Sequence, residues 1–208
     1  KWLNLTGGSM LGGNSGGSTY VSGTGSTLHA TSCVFFLNTA KYGGVVYNDR
    51  GSTLIQDSII ANNTAVYYGG GIRQWSGTAT ITRSLISRNR QTTGTQADYG
   101  GGGVFIFFNA VLNVRETTIE HNRAGTNKGH QIMAYKLNSN GGAPAVTVVN
   151  TRFINCTACE TTGTNFYLYD SDTGSGGAAA YGTLSRKTCS ASPCTVSPFT
   201  GACGDRTD

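Results

Sequence analysis

The chain carries few side chains that could catalyse a reaction, and they are spread along its length: 10 acidic residues and 3 histidines among 208. Cleaving a glycosidic bond takes two carboxylates about 5–10 Å apart across a groove. Asp57 and Glu116 fall at the same corner of a stacked repeat, about 10 Å apart at two strand spacings, with Arg83 between them. Mixed charges of this kind are typical of a solvated corner. We therefore expect no catalytic residue and no cofactor.

Six cysteines are typical of proteins from an oxidising compartment. The candidates for disulfide bonds are Cys33, Cys156, Cys159, Cys189, Cys194 and Cys203. Cys33 and Cys156 lie four repeats apart, roughly 19 Å, whereas a disulfide needs Cα atoms within about 7 Å. We expect Cys156 and Cys159 to pair with each other or with the C-terminal cysteines. Zinc at this Cys-x-x-Cys is the alternative, but no second pair has a suitable spacing, so no metal is expected.

Other features indicate a secreted or surface-exposed protein. Asn4, Asn62 and Asn155 begin N-glycosylation sequons. The first residue is Lys1, which is consistent with removal of a signal peptide or of a larger precursor segment. No apolar run approaches the roughly 20 residues of a membrane span. The net charge of +5 comes from scarce acids without a run of Lys and Arg, so we expect no nucleic-acid partner and no membrane insertion.

Four columns of residue type recur through five copies of one repeat. The closing column is Asn38, Asn63, Asn89, Asn122 and Cys156. Three residues before it stand Phe35, Ile60, Ile86, Ile119 and Phe153. Five residues earlier again stand Ala30, Ile55, Ile81, Val114 and Val148. A small-residue column precedes the Phe/Ile column by two places: Cys33, Ser58, Ser84, Thr117 and Thr151. From Asn63 to Asn122 the closing asparagines are 26 and 33 residues apart, and repeat lengths in this range indicate a stacked-repeat fold.

The five-residue gap between the two apolar columns predicts a corner. Inward side chains along one strand are separated by an even number of residues, so an odd gap needs a turn near Asp57, Arg83 and Glu116. Glycine pairs and β-branched residues argue against helix. We predict an all-β fold, a right-handed single-stranded parallel β-helix of about five to six rungs. Residues 1–24 form a lid or partial rung, 25–162 the repeats, and 163–208 the last rung and a Cys-rich cap.

The repeat resembles that of chlamydial polymorphic outer-membrane proteins and related right-handed β-helix adhesins. Their pattern, Gly-Gly-x-Ile/Val followed by Phe-x-x-Asn, is matched by Gly43-Gly44-Val45-Val46 and by Phe35-Phe36-Leu37-Asn38. Ile60, Ile86 and Ile119 replace the phenylalanine in later copies, and Cys156 replaces the last asparagine. The resemblance covers about residues 25–160 and implies a passenger-like β-helix. We expect no counterpart here of the membrane-inserting C-terminal barrel of that family, because the tail lacks enough alternating strands.

The asparagine column, Asn38, Asn63, Asn89 and Asn122, predicts a ladder of side-chain amides bonded to one another and to the backbone of the turns. An asparagine-lined ligand track is the alternative.

The strand after each glycine pair predicts an apolar and aromatic stripe on the outside. This prediction takes Val45, Ile72, Val104, Ile132 and Phe166 as inward. Alternation then sends outward Val46, Arg73, Trp75, Phe105, Phe107, Met133, Tyr135, Tyr167 and Tyr169. Because soluble proteins rarely expose large apolar patches, other parts of the chain, a partner subunit or a sugar must cover this stripe. A register error of one residue would exchange the two faces.

We predict an extracellular structural or adhesive module that associates with itself or with another extracellular protein, with a polysaccharide as a further ligand. Open rung ends and the stripe would allow it to form filaments. The main alternative is a carbohydrate-active β-helix, a polysaccharide lyase, hydrolase or lectin. An ice-binding surface is a minor alternative, because Thr78-Ala79-Thr80 occurs in one rung but its neighbours do not keep the threonine register.

Overall fold

The computed structural model describes residues 3–12, 16–94, 99–126, 128–136, 144–154 and 166–170. All regular structure in these ranges is β-strand. In chain order the strands are β1 (Leu3–Thr6), β2 (Ser9–Met10), β3 (Thr19–Val21), β4 (Thr27–Thr31), β5 (Cys33–Phe36), β6 (Thr39–Tyr42), β7 (Val46–Asn48), β8 (Ser52–Gln56), β9 (Ile59–Ala61), β10 (Thr64–Tyr68), β11 (Ile72–Gln74), β12 (Thr78–Thr82), β13 (Leu85–Ser87), β14 (Arg90–Gln91), β15 (Val104–Phe107), β16 (Val111–Arg115), β17 (Thr118–Glu120), β18 (Arg123–Ala124), β19 (Ile132–Lys136), β20 (Ala145–Val149), β21 (Arg152–Ile154) and β22 (Phe166–Asp170).

The strands form four sheets that stack successive turns of the chain. Sheet A has the order β1-β5-β9-β13-β17-β21, and sheet B has the order β2-β6-β10-β14-β18. Sheet C has the order β3-β7-β11-β15-β19-β22, and sheet D has the order β4-β8-β12-β16-β20. Each coil visits sheets D, A, B and C in turn, and neighbouring strands run parallel. The predicted fold class, an all-β parallel β-helix, is confirmed, with about five rungs. The cap predicted in 163–208 lies outside the described residues, apart from β22.

Residues in the left-handed region of φ make two of the corners. Between sheets D and A, φ is 45–53° at the same place in five coils: Ser32, Asp57, Arg83, Glu116 and Asn150. Between sheets A and B, φ is 51–56° in four coils: Leu37, Asn62, Arg88 and His121. Such values are uncommon for non-glycine residues, so their recurrence marks a fixed turn geometry. The corner inferred from the odd gap between apolar columns is the one between D and A.

Glycine makes the third corner, between sheets B and C. Gly43, Gly69, Gly101 and Gly129 take φ values of 59–72° there. A Cβ on Gly43 would overlap the carbonyl oxygen of Val46, three residues further on, and the following coils repeat this contact. Glycine is therefore required by sterics as well as by its left-handed backbone conformation.

The core is built from stacks of like residues. Ile60, Ile86 and Ile119 are in register on sheet A, and Ile55 and Ile81 are in register on sheet D. All five side chains are fully buried. Each stack therefore presents the same side chain to the next coil, and like residues pack against one another along the core.

Asparagine amides link the coils where the chain turns from sheet A into sheet B. The Oδ1 atom of Asn63 accepts hydrogen bonds from the backbone N and the Nδ2 of Asn38, at 2.9 and 3.0 Å. Asn89 accepts the same two hydrogen bonds from Asn63, and Asn122 accepts them from Asn89. Each Nδ2 also donates to a backbone carbonyl of the preceding coil, as Asn89 does to Ile60 at 2.9 Å. All four asparagines are buried.

Hydroxyl groups link the coils by hydrogen bonds in the same way at the corner between sheets D and A. The hydroxyl of Ser58 accepts a hydrogen bond from the backbone N of Cys33 at 3.0 Å. Ser84 accepts one from Ser58, and Thr117 one from Ser84. Each hydroxyl donates in turn to a carbonyl two residues earlier, as Ser58 does to Gln56 at 2.7 Å. Buried backbone groups at this turn are thus satisfied in successive coils.

Asn89→Ala is expected to lower the free energy of unfolding by about 2–4 kcal/mol, because it leaves the buried backbone N–H of Asn63 without its acceptor. The control is Asn113→Ala in β16, whose side chain is half-buried and should change stability by less than about 1 kcal/mol. Urea unfolding followed by circular dichroism measures both. Equal losses in the two variants would show that the ladder contributes nothing specific.

Candidate functional site

The register of sheet C determines which side chains face outward. Val46 is aligned with Ile72 and, through it, with Val104. It lies in the core with 0% exposure, so the prediction that Val46 faces outward is wrong. The structure aligns the glycine pair Gly43-Gly44 with Gly69-Gly70. The sequence pattern instead aligns it with Gly70-Gly71, and this places the strand of the first copy one residue out of register. The outward residue of β7 is Tyr47.

The outer face of sheet C carries its own apolar cluster, separate from the core. Its buried members are Phe105, Phe107, Met133 and Tyr135, and half-buried Tyr68, Trp75 and Phe108 pack against them. The other predicted stripe residues whose side chains the structure describes lie on the outer face of sheet C. Neighbouring side chains cover most of them. The side chains of Tyr167 and Tyr169 lie outside the described part of the chain; their backbones pair with Met133 and Tyr135.

A bulge in β10 brings a second row of rings to this face. Ala65 pairs with Ala40, but Tyr68 pairs with Tyr42, so β10 has one more residue than β6 between these pairs. Bulges commonly redirect side chains next to functional sites. Tyr42 and Tyr68 stand directly before the glycine turns, and their rings lie 5.9 Å apart. They meet the outward side chains of sheet C across the corner.

Arg73, on β11, lies among four of these rings. Its Cζ is 4.4 Å from the ring centroid of Tyr42 and 4.5 Å from that of Tyr47. The corresponding distances to Tyr68 and Trp75 are 5.0 and 4.7 Å. Each is within the range of cation–π attraction. The four rings and this guanidinium are called the Arg73 cage below.

The guanidinium of Arg73 is buried without an acid to neutralise it. The residue is 4% exposed, and its Nε has no hydrogen-bond partner. Burial lowers the pKa of Arg73 below its usual value, which reflects the cost of removing this charge from water. Asp49, the nearby carboxylate, instead contacts Arg50 at 3.4 Å. The rings therefore supply the main local compensation.

A cleft of about 450 Å³ opens over the cage, lined by Tyr42, Tyr47, Asp49, Tyr68, Arg73 and Trp75. Burial raises the pKa of Tyr47, which keeps its phenol protonated as a donor and acceptor. The positively charged Lys41 Nζ lies 5.4 Å from the ring of Tyr42. This arrangement can stack against a flat or apolar ligand face, donate hydrogen bonds from a cation and accept hydrogen bonds from hydroxyl groups at Asp49.

Sequence reasoning identified Arg73 and Trp75 in this site but missed Tyr42, Tyr47, Tyr68 and Asp49. The sequence feature that could have indicated Tyr42 and Tyr68 is a tyrosine immediately before the glycine turn in two copies, Tyr42-Gly43 and Tyr68-Gly69. Tyr47 was missed because of the register error. No pattern in the sequence indicated Asp49.

At the corner that carries Asp57 and Glu116, Arg83 forms an ion pair with Asp57. Arg83 donates from Nε to Asp57 Oδ1 at 2.8 Å and from its terminal nitrogen to Oδ2 at 2.9 Å. Gln56 donates to Oδ2 as well, at 3.1 Å. Both carboxylate oxygens of Asp57 are therefore engaged by cationic or amide donors.

Other candidate residues are dispersed over the coils. Asn4 is exposed on β1, Asn62 is half-buried at a corner, and Asn155 lies outside the described residues. Cys33 is a buried free thiol whose Sγ lies 3.4 Å from the carbonyl of Thr31. The remaining candidates fall outside the described ranges: Cys156, Cys159, Cys189, Cys194 and Cys203. Within the described residues, no cluster of three His, Cys, Asp or Glu could hold a metal, and no helix could cross a membrane.

Comparisons with protein-family models, with curated proteins and with solved structures each gave no match for this chain. The resemblance to the chlamydial adhesin repeats stays an expectation based on the motif residues.

Arg83→Gln is expected to raise the pKa of Asp57, because the hydrogen bonds from Arg83 are the largest cause of its lowered value. The pair stabilises the fold above the ordinary aspartate pKa of about 3.9, and this contribution is lost as the pH falls through the lowered folded-state value. Carboxyl carbon shifts followed by NMR against pH measure the change, with Arg90→Gln on sheet B as the control. An Asp57 pKa that does not move would contradict the geometry.

Arg73→Met is expected to leave the free energy of unfolding unchanged within about 1 kcal/mol, or to raise it. Methionine packs well against aromatic rings, and its burial avoids the desolvation of a charge that has no acid partner. Urea unfolding measures the difference, and Arg115→Met, an exposed residue of sheet D, is the control for loss of one charge. A loss of more than about 2 kcal/mol would mean that the cage holds the fold together.

Proposed function

We propose that the protein is a secreted adhesive β-helix module that attaches to carbohydrate through the Arg73 cage. The observation that carries the proposal is a buried arginine without an acid partner at the base of an aromatic cleft. A buried charge without an acid partner is expected to lower stability, and such residues are commonly retained for function. The rest of the described scaffold satisfies its polar groups almost completely, since only Ser18, Arg73 and Gln74 have buried side-chain atoms without a partner there.

Carbohydrate fits the cleft by size and by chemistry. A volume of about 450 Å³ lies in the range of small-ligand sites, about 300–1,000 Å³, and accommodates one or two sugar units. Tyrosine and tryptophan rings can pack against the apolar face of a pyranose, while their polar ends bond to its hydroxyls. The net charge of +5 favours acidic extracellular polymers as partners.

Binding without cleavage is the form of carbohydrate recognition that the site favours. A glycosidase requires two carboxylates across the scissile bond, and among the described residues one carboxylate lines the cleft, that of Asp49. Asp57 has both oxygens occupied by Arg83 and Gln56. A lectin-like adhesin also agrees with the resemblance of the repeat to those of chlamydial surface proteins.

Affinity electrophoresis in gels containing different polysaccharides tests the proposal. The protein should be retarded by at least one polysaccharide, and Trp75→Ala should migrate as if no polysaccharide were present. Phe36→Ala removes an aromatic residue from sheet A and is the matched control, which should be retarded like the parent protein. A parent protein that no neutral or acidic polysaccharide retards would refute carbohydrate adhesion.

Assembly into filaments is a second candidate, supported by the first coil. Within the described residues, β1, β2, β3 and β4 each pair on one side only. Leu3, Met10, Leu11 and Tyr20 are about half exposed, at 58, 50, 57 and 47%. Open strand edges combined with apolar side chains favour stacking of a further coil, such as one from a second copy.

Light scattering over a range of concentrations tests this second candidate. Growth beyond a dimer that Leu3→Lys and Leu11→Lys suppress is the expected result. Arg115→Met, away from the first coil, is the control and should assemble like the parent. A protein that remains monomeric at every concentration would exclude the filament.

A further inference from the structure

The geometry points to one ligand class for the Arg73 cage: a sugar unit that bears a carboxylate, such as a uronate of an acidic polysaccharide. This inference deepens the proposed carbohydrate adhesion and rests on it. It assigns the ligand carboxylate to the guanidinium of Arg73, the pyranose to the half-buried ring of Trp75, and hydroxyl groups to Asp49.

The surroundings of Arg73 leave one donor of its guanidinium without a partner. The Cζ atom lies 4.4–5.0 Å from four ring centroids, so the rings occupy the space around the planar group. The buried Nε–H has no acceptor. Nε–H and one terminal N–H point in parallel from the same edge of a guanidinium, and this pair matches the two oxygens of a carboxylate.

The burial of Arg73 without an ion pair also favours an anionic ligand. Arg73 is a buried cation that makes no ion pair within the described residues. A ligand carboxylate would supply the missing hydrogen bonds and offset the desolvation of the guanidinium. Because charge-assisted hydrogen bonds in a site of low dielectric are strong, this contact should dominate the selectivity among sugars.

Asp49 narrows the choice of anion. It lines the same cleft and still exposes 21% of its side chain. A second negative group beside it disfavours highly charged ligands such as phosphate monoesters by like-charge repulsion. A carboxylate carries a single charge, and Asp49 can accept hydrogen bonds from the neighbouring hydroxyl groups of a uronate.

Isothermal titration calorimetry with defined oligosaccharides tests the inference. The probes are oligomers of galacturonate, of mannuronate and of glucuronate, the methyl ester of each, and a sulfated galactan oligomer. At least one uronate oligomer should bind, with at least tenfold weaker binding of its methyl ester and of the sulfated oligomer. Esterification keeps the sugar and removes the charge, so it isolates the carboxylate.

Variants locate the contact on the protein. Arg73→Met should weaken binding of the uronate oligomer at least tenfold and should leave binding of its methyl ester within a factor of about two. Arg115→Met, which removes the same charge from sheet D, should bind like the parent. Circular dichroism unfolding curves of each variant establish that it is folded before titration.

The outcomes separate this inference from the proposed function. Equal affinity for a uronate oligomer and its ester, or tighter binding of the sulfated oligomer, would overturn the carboxylate assignment and leave carbohydrate adhesion standing. The absence of binding by all three uronates would also overturn it. If the parent protein is in addition not retarded by any polysaccharide in electrophoresis, carbohydrate adhesion fails together with it.

Discussion

Satisfaction of buried backbone groups at the corners is the constraint on which the other features of this β-helix depend. The chain turns at a left-handed residue and then buries the amide of the next residue, where water cannot reach it. Asn63, Asn89 and Asn122 each supply an acceptor to the coil before them, and serine or threonine hydroxyls do so at the neighbouring corner. Because each partner comes from the adjacent coil, a corner is stable only within the stack.

The outer face of sheet C follows from this arrangement. Once the corners and the apolar stacks hold the coil, the outward side chains of β7, β11 and β15 have no structural task in the core. These outward positions hold aromatic residues and one arginine. The glycine turn brings Tyr42 and Tyr68 into contact with these side chains. The glycines have no side chain, so the rings on both sides of the corner approach each other. Arg73 lies on this outer face as a buried charge that makes no ion pair within the described residues.

The fold could be predicted from the sequence because the residues that determine it recur at the same position in every repeat. Each column repeats one requirement, an inward side chain or a corner acceptor, and the odd spacing between columns located the turn at Asp57, Arg83 and Glu116. The site could be predicted only in part, because it depends on contacts across a corner between strands of different sheets. A single extra residue in β10 places Tyr68, and a one-residue ambiguity in a glycine run exchanged Val46 and Tyr47.

The central claim is that Arg73 is held with an unsatisfied donor for an external anion. The proton-attached ¹⁵Nε signals of the arginines report this donor directly, and the Arg73 signal is assigned by its loss in Arg73→Lys. Titration with a uronate oligomer should shift the Arg73 signal in a saturable manner and leave that of Arg115 in place. An Arg73 signal that does not move at saturation, or a shift common to all arginines, would contradict the account.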